Sequence, residues 1–152
     1  MNHSHILNQY MCGHLIVSAS RYAPYQEASK NVHRSRRIST IFDLPETQLT
    51  RRGHVFYGDE LKTIPSLYET EEVPADDKVI VARFFGGSGT WLIAELDPET
   101  GTAFGCCSLG LGFQEWGYVS LLELESLNIH NGLVIIERDL DFTPIRLCDI
   151  QR

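Results

Sequence analysis

Five carboxylates in or beside strand-like sequence, Glu95, Asp97, Glu115, Glu137 and Asp139, are of the type needed for acid–base work or for holding a divalent cation. A hard cation requires several oxygens converging on one point, and the spacing of these five matches no established metal loop. They read first as solvated side chains on the open face of a sheet, so no catalytic residue, metal or cofactor is expected. Arg138 is the more suggestive residue. In a strand through this region Val134, Ile136, Arg138, Leu140 and Phe142 share one face, which places a guanidinium among core side chains. A buried arginine needs a charge partner, because an unpaired buried charge is strongly unfavourable. Glu95, on the strand face of Trp91 and Ile93 by simple alternation, is the expected partner in a structural ion pair. The competing role for Arg138 is to bind an anion.

The strongest basic signal is the cluster Arg34, Arg36, Arg37 and the pair Arg51-Arg52. These side chains have the chemistry to contact phosphate, and equally to pair with carboxylates of the same molecule. No aromatic residues interleave with them as a nucleic-acid surface would favour. Trp116, which follows a glycine-containing loop, reads first as core and otherwise as the candidate exposed anchor for an interface, and Glu137 and Asp139 are candidate binding carboxylates. Trp91, Phe84, Phe85, Phe104 and Tyr118 read as core. Gly86-Gly87-Ser88-Gly89 lacks the lysine and the strand-to-helix context of a phosphate loop and reads as a hairpin tip. The histidines show no triad pattern. Cys12, Cys106, Cys107 and Cys148 include no CxxC and match no common zinc spacing, so reduced, mostly buried thiols are expected.

Charge divides the chain. Residues 1–58 carry seven basic and three acidic side chains, a net +4, and residues 59–152 carry six and seventeen, a net −11. The total of −7 argues against general binding to nucleic acid or to a membrane surface. No apolar run approaches the ~20 residues needed to span a bilayer, and the N-terminus lacks a signal-peptide layout. With the thiol pattern, this leads to an expectation of a cytoplasmic protein. A chain of 152 residues is most simply one domain with one core.

The elements that must position these residues follow from periodicity. In the N-terminal part, Leu15–Val17 reads as a short strand and Tyr25–Arg37 as a helix with one apolar stripe. Ile38–Phe42 reads as another strand, and Leu61–Tyr68 as a helical turn or irregular packed segment. Glu69–Asp77, with five carboxylates and a proline, is a solvated connector. Val79–Phe85, Thr90–Leu96 and Thr102–Leu109 then form a three-strand antiparallel meander. Ser120-Leu121-Leu122-Glu123 is a capping-box signature, opening a short helix that stops near Asn128–Gly132. Leu133–Leu140 reads as a fourth strand, and Pro144 starts a last turn or short helix. The expectation is an α+β fold: a mostly antiparallel sheet, a helix on one face, and an α/β N-terminal extension.

Residues from about 58 to 150 resemble the bacterial domain of unknown function 2958. The resemblance is carried by Pro65-Ser66-Leu67-Tyr68, Arg83-Phe84-Phe85, Thr90-Trp91 with Glu95-Leu96-Asp97, and Phe104-Gly105. It continues through Trp116-Gly117-Tyr118 with Ser120–Leu127, and Ile136-Glu137-Arg138-Asp139 followed by Phe142 and Pro144. It implies carriage on plasmids and integrating elements, and it brings no assigned activity to transfer. On this basis 58–152 is the acidic domain; residues 1–57, which the resemblance does not account for, are expected to be a basic N-terminal extension packed on the same core.

The expected function is a non-catalytic acidic interaction protein, monomer or homodimer, whose partner is a basic or nucleic-acid-binding complex. Carriage on mobile elements adds an anti-defence role, as an anti-CRISPR or anti-restriction inhibitor. Two alternatives stand beside it. One is a small enzyme using carboxylates and Arg138 on a phosphorylated or nucleotide substrate. The other is nucleic-acid binding through the N-terminal arginines.

Overall fold

A computed structural model describes residues 39–150. The expected strand at 15–17, the helix at 25–37 and the side chains of Arg34, Arg36 and Arg37 lie outside the described residues.

The β-branched and aromatic run after the acidic connector pairs as the sequence suggests. Strands β1 (Val79–Ile80), β2 (Ala82–Gly86), β3 (Gly89–Asp97), β4 (Thr102–Ser108), β5 (Gln114–Ser120), β6 (Glu137–Arg138) and β7 (Ile145–Arg146) follow in order. A five-stranded antiparallel sheet has the order β5-β4-β3-β2-β6, and β1 pairs with β7 in a small second sheet. The β2–β3 hairpin turns through Gly87 and Ser88, where Gly87 takes the left-handed φ of +59° that a tight turn requires. Helix α1 is Leu49–Arg52, α2 is Leu121–Ser126 and α3 is Leu147–Ile150. The capping serine works as its position indicates: the Glu123 amide donates to Ser120 Oγ at 3.3 Å and starts α2. The fold is α+β.

One face of the sheet carries the large core. Phe84, Trp91, Ile93, Leu96 and Ala103 pack there against Leu121 and Leu124 of α2, with Ile41, Phe56 and Tyr57 joining from the N-terminal side. The other face carries a smaller cluster of Ile80, Leu92, Ala94, Cys106 and Leu147, with Trp116 and Phe142 against it. The two sets interleave along β3 because successive side chains alternate. That alternation is broken once. A bulge between Ile93 and Glu95 shifts the register against β4, so that Ile93 and Leu96 face the same core and Glu95 faces the opposite side. Gly105, opposite the bulge, permits the approach: a Cβ there would fall on the Leu92 carbonyl oxygen.

Several expectations are corrected. Of the strand expected at Ile38–Phe42, the described part from residue 39 on leads instead into a 3-10 turn at Ile41–Asp43; the Asp43 carboxylate accepts from the Thr40 amide at 3.2 Å and the Ile41 amide donates to the Pro98 carbonyl at 2.8 Å. β5 was not anticipated, since Glu115 and Gly117 interrupt the local pattern; all seven of its residues pair with β4. The strand expected at Leu133–Leu140 narrows to Glu137–Arg138 plus a bridge between Ile129 and Val134.

Candidate functional site

The expected Arg138–Glu95 ion pair does not form. Arg138 pairs across from Phe84 and stands on the large-core face, whereas the bulge turns Glu95 to the other face, with β2 between β3 and β6. Each finds another partner. Glu95, nearly fully buried, accepts from the Tyr68 amide at 2.6 Å and the Thr70 amide at 3.3 Å, and also from the Thr70 hydroxyl. Lys78 Nζ lies 3.3 Å from the same carboxylate and donates to Thr70 Oγ1 at 2.8 Å. Tyr68 is held in the left-handed region at φ +69°, an uncommon conformation for a bulky residue, with its N–H on Glu95. This knot anchors the acidic connector onto the smaller sheet face.

Above the knot lies a row of aromatics. Phe104 stacks on Trp116 at 5.3 Å and meets Tyr118 at 5.2 Å, and Tyr68 meets Tyr118 at 6.2 Å. Trp116 is therefore half-buried against Phe104 and Cys106, not a free-standing anchor. Burial drives the Tyr118 hydroxyl well above its ordinary value, helped by its hydrogen bond with Tyr68 and by the charges of Glu95 and Glu71. The acidic connector thus borders the aromatic row electrostatically. The two strand-centre thiols, Cys106 and Cys107, are buried, and burial pushes Cys106 up, away from nucleophilic use.

Of the pair Arg51-Arg52, only Arg51 is exposed; Arg52 is turned inward and paired within the molecule. Arg52 is buried: Nε donates to the Ile136 carbonyl at 3.0 Å, Nη2 to the Glu125 carbonyl at 3.1 Å, and Nη1 lies 3.3 Å from Glu46 and 3.4 Å from Glu125. Arg51 donates to the Gly132 carbonyl. Apart from Glu46, six positions before Arg52, these partners lie 73 to 84 residues along the chain, so no local pattern announces them.

Arg138 borders a cleft of about 380 Å³ at the edge of the sheet, where β6 ends beside the start of β2. Its polar wall is Arg138, Glu60 and Asp139; Val81, Ala82, Leu140 and Phe142 supply the apolar wall. Arg138 Nη2 donates to the Val55 carbonyl at 2.9 Å, Nη1 is paired with Glu60, and Nε has no hydrogen-bond partner among the described residues. Gly58 makes room for that pair, since a Cβ there would collide with both side chains. Burial lowers the guanidinium pKa from its ordinary value, against the pull of Glu46. Asp139 is held by Arg83 at 3.0 Å, and Glu137 is half-buried beside it. Among the described residues no group of three or more His, Cys, Asp or Glu side chains is placed to hold a metal ion, and no helix is long and apolar enough to cross a membrane.

The described residues hold seven basic and nineteen acidic side chains, a net −12. Six of the seven cations already have carboxylate partners within the molecule. No curated protein and no solved structure matches the chain. The model of a family described as a protein of unknown function, DUF2958, matches residues 61–149, more than half of the sequence and the whole of the sheet with its aromatic row and all of the cleft but Glu60, and the chain belongs to that family.

Proposed function

We propose that this protein is a non-catalytic docking module whose acidic surface engages a basic protein partner. The observation that carries the reading is the charge balance. Internal pairing consumes nearly every described cation and leaves a surplus of carboxylates, with Glu69, Glu71, Glu72, Asp76 and Asp77 exposed along one connector. A field of one sign steers oppositely charged partners and accelerates encounter. The neighbouring aromatic row of Tyr68, Phe104 and Trp116 offers half-buried rings that stack on guanidinium groups. A nucleic-acid-binding protein presents the complementary basic surface. The cellular setting proposed with this reading is the cytoplasm of a host carrying a mobile element, with the protein acting as an anti-CRISPR or anti-restriction inhibitor.

Co-purification with wild type and with the triple variant Glu69→Gln, Glu71→Gln, Glu72→Gln tests the reading, at about 0.1 M and about 1 M salt. A basic partner retained by wild type only at low salt, and lost with the variant, supports it. Identical recovery by both proteins, or binding insensitive to salt, refutes it.

A second reading, a small enzyme on a phosphorylated or nucleotide substrate, is favoured by one observation: Arg138 shares a cleft with two carboxylates. The charge balance weighs against it: Asp139 is offset by Arg83 and Glu60 by Arg138, so a phosphate dianion there would find no unneutralised cation.

A further inference from the structure

The cleft beside β6 contains a guanidinium with unspent capacity, held by a carboxylate that is easily removed. Arg138 has only 8% of its side chain exposed, while its partner Glu60 has 47%. Glu60 sits in the exposed 3-10 turn Asp59–Thr63 and returns to water without disturbing a core. Arg138 does not have that freedom. Its side chain is buried, its Nη2 is fixed on the Val55 carbonyl, and its Nε is buried without an acceptor among the described residues. A buried guanidinium demands an anion, and a carboxylate matches its fork of donors.

We propose that the cleft is a binding site for a small organic monocarboxylate, and that Glu60 is a built-in stand-in which the ligand displaces from Arg138. Charge selects the ligand class. Asp139 is committed to Arg83, so removal of Glu60 leaves one positive charge, and a monoanion restores neutrality. A dianion overshoots beside Asp139, and an amine would add a second positive charge beside the buried guanidinium. The apolar wall sets the rest of the ligand. Leu140 is 56% exposed and Phe142 half-buried, so a ring or short alkyl group would cover them. A volume of about 380 Å³ lies in the range of small-molecule sites. Because Glu60 competes intramolecularly, at an effective concentration of millimolar order or higher, the wild-type site is weakened and opens fully only when that side chain is absent.

Titration of the full chain with phenylacetate, followed by the arginine Nε–H resonances, tests this. The expected result is a saturable shift of the Arg138 signal whose affinity rises about tenfold in Glu60→Ala. The methyl ester and phenyl phosphate are expected to give no comparable shift. Absence of a saturable shift in folded Glu60→Ala overturns the proposal. So does equal binding of acid and ester, or an affinity unchanged between wild type and Glu60→Ala. Loss of binding in Arg138→Gln supports it only with an unchanged fold; Leu140→Asp, on the exposed wall, provides a check that spares the arginine and is expected to weaken phenylacetate binding.

Discussion

Two arginines enter the same sheet face from opposite ends of the chain, and they are treated differently. Arg52 is enclosed by Glu46, Glu125 and two backbone carbonyls, so its Nε and both terminal nitrogens have acceptors on buried groups. Its carboxylate partners are themselves tied down. Glu46 accepts from the Phe56 and Tyr57 amides at 2.8–2.9 Å, and Glu125 accepts from the Gln48 amide at 3.0 Å and the Thr47 hydroxyl at 2.8 Å. Arg138 has one firm carbonyl contact, one half-exposed carboxylate and an orphan Nε beside a cleft. Complete satisfaction locks segments together. Incomplete satisfaction beside open space leaves a site with something still to bind.

The largest test of this contrast is substitution of each arginine by methionine. Arg52→Met strands two buried carboxylates and is expected to lose about 3–5 kcal/mol in denaturant unfolding. Arg138→Met leaves only a carboxylate that can turn to solvent and one carbonyl without its donor, so about 1–3 kcal/mol is expected. Equal losses would erase the distinction. A pH series sharpens it further. Burial by itself would raise the Glu125 carboxyl, but hydrogen bonds from Gln48 and Thr47 and the charge of Arg52 outweigh it, leaving its pKa below the ordinary 4.5. The folded state therefore gains stability above that ordinary value, and the gain disappears as pH falls through the depressed value. Glu125→Gln should flatten the acid limb of the stability curve, and an unaltered limb would remove Glu125 from the lock. The smallest effect belongs to Glu60→Gln, expected to cost about 1–2 kcal/mol: the half-exposed carboxamide still offers Arg138 an acceptor, but the buried guanidinium loses its anion. A larger loss in thermal melting would mean that Glu60 is structural.

Much of the frame was legible locally. The glycine-rich tip, the flanking β-branched runs and the Ser120–Glu123 cap each state their own structure. Arg138 on the core face also followed from alternation, as did the exposed acidic connector. Glu95 did not, because alternation fails at the bulge, and the only hint was Gly105, a glycine inside a strand. For Arg52 the sequence left phosphate contact and pairing within the molecule equally open, since Glu125 lies 73 residues away. β5 was missed because its pattern is weak and its pairing with β4 supplies the order.

By itself, the sequence determined the α+β class, the meander, the short capped helix and the surplus of negative charge, all of which depend on neighbours a few positions apart or on simple counting. Tertiary structure alone decided which distant carboxylate meets which cation: Lys78 with Glu95, Arg52 with Glu125, Arg138 with Glu60. Ion pairing depends on distance in space and on desolvation, and a single bulged residue is enough to send a side chain to the other side of a sheet.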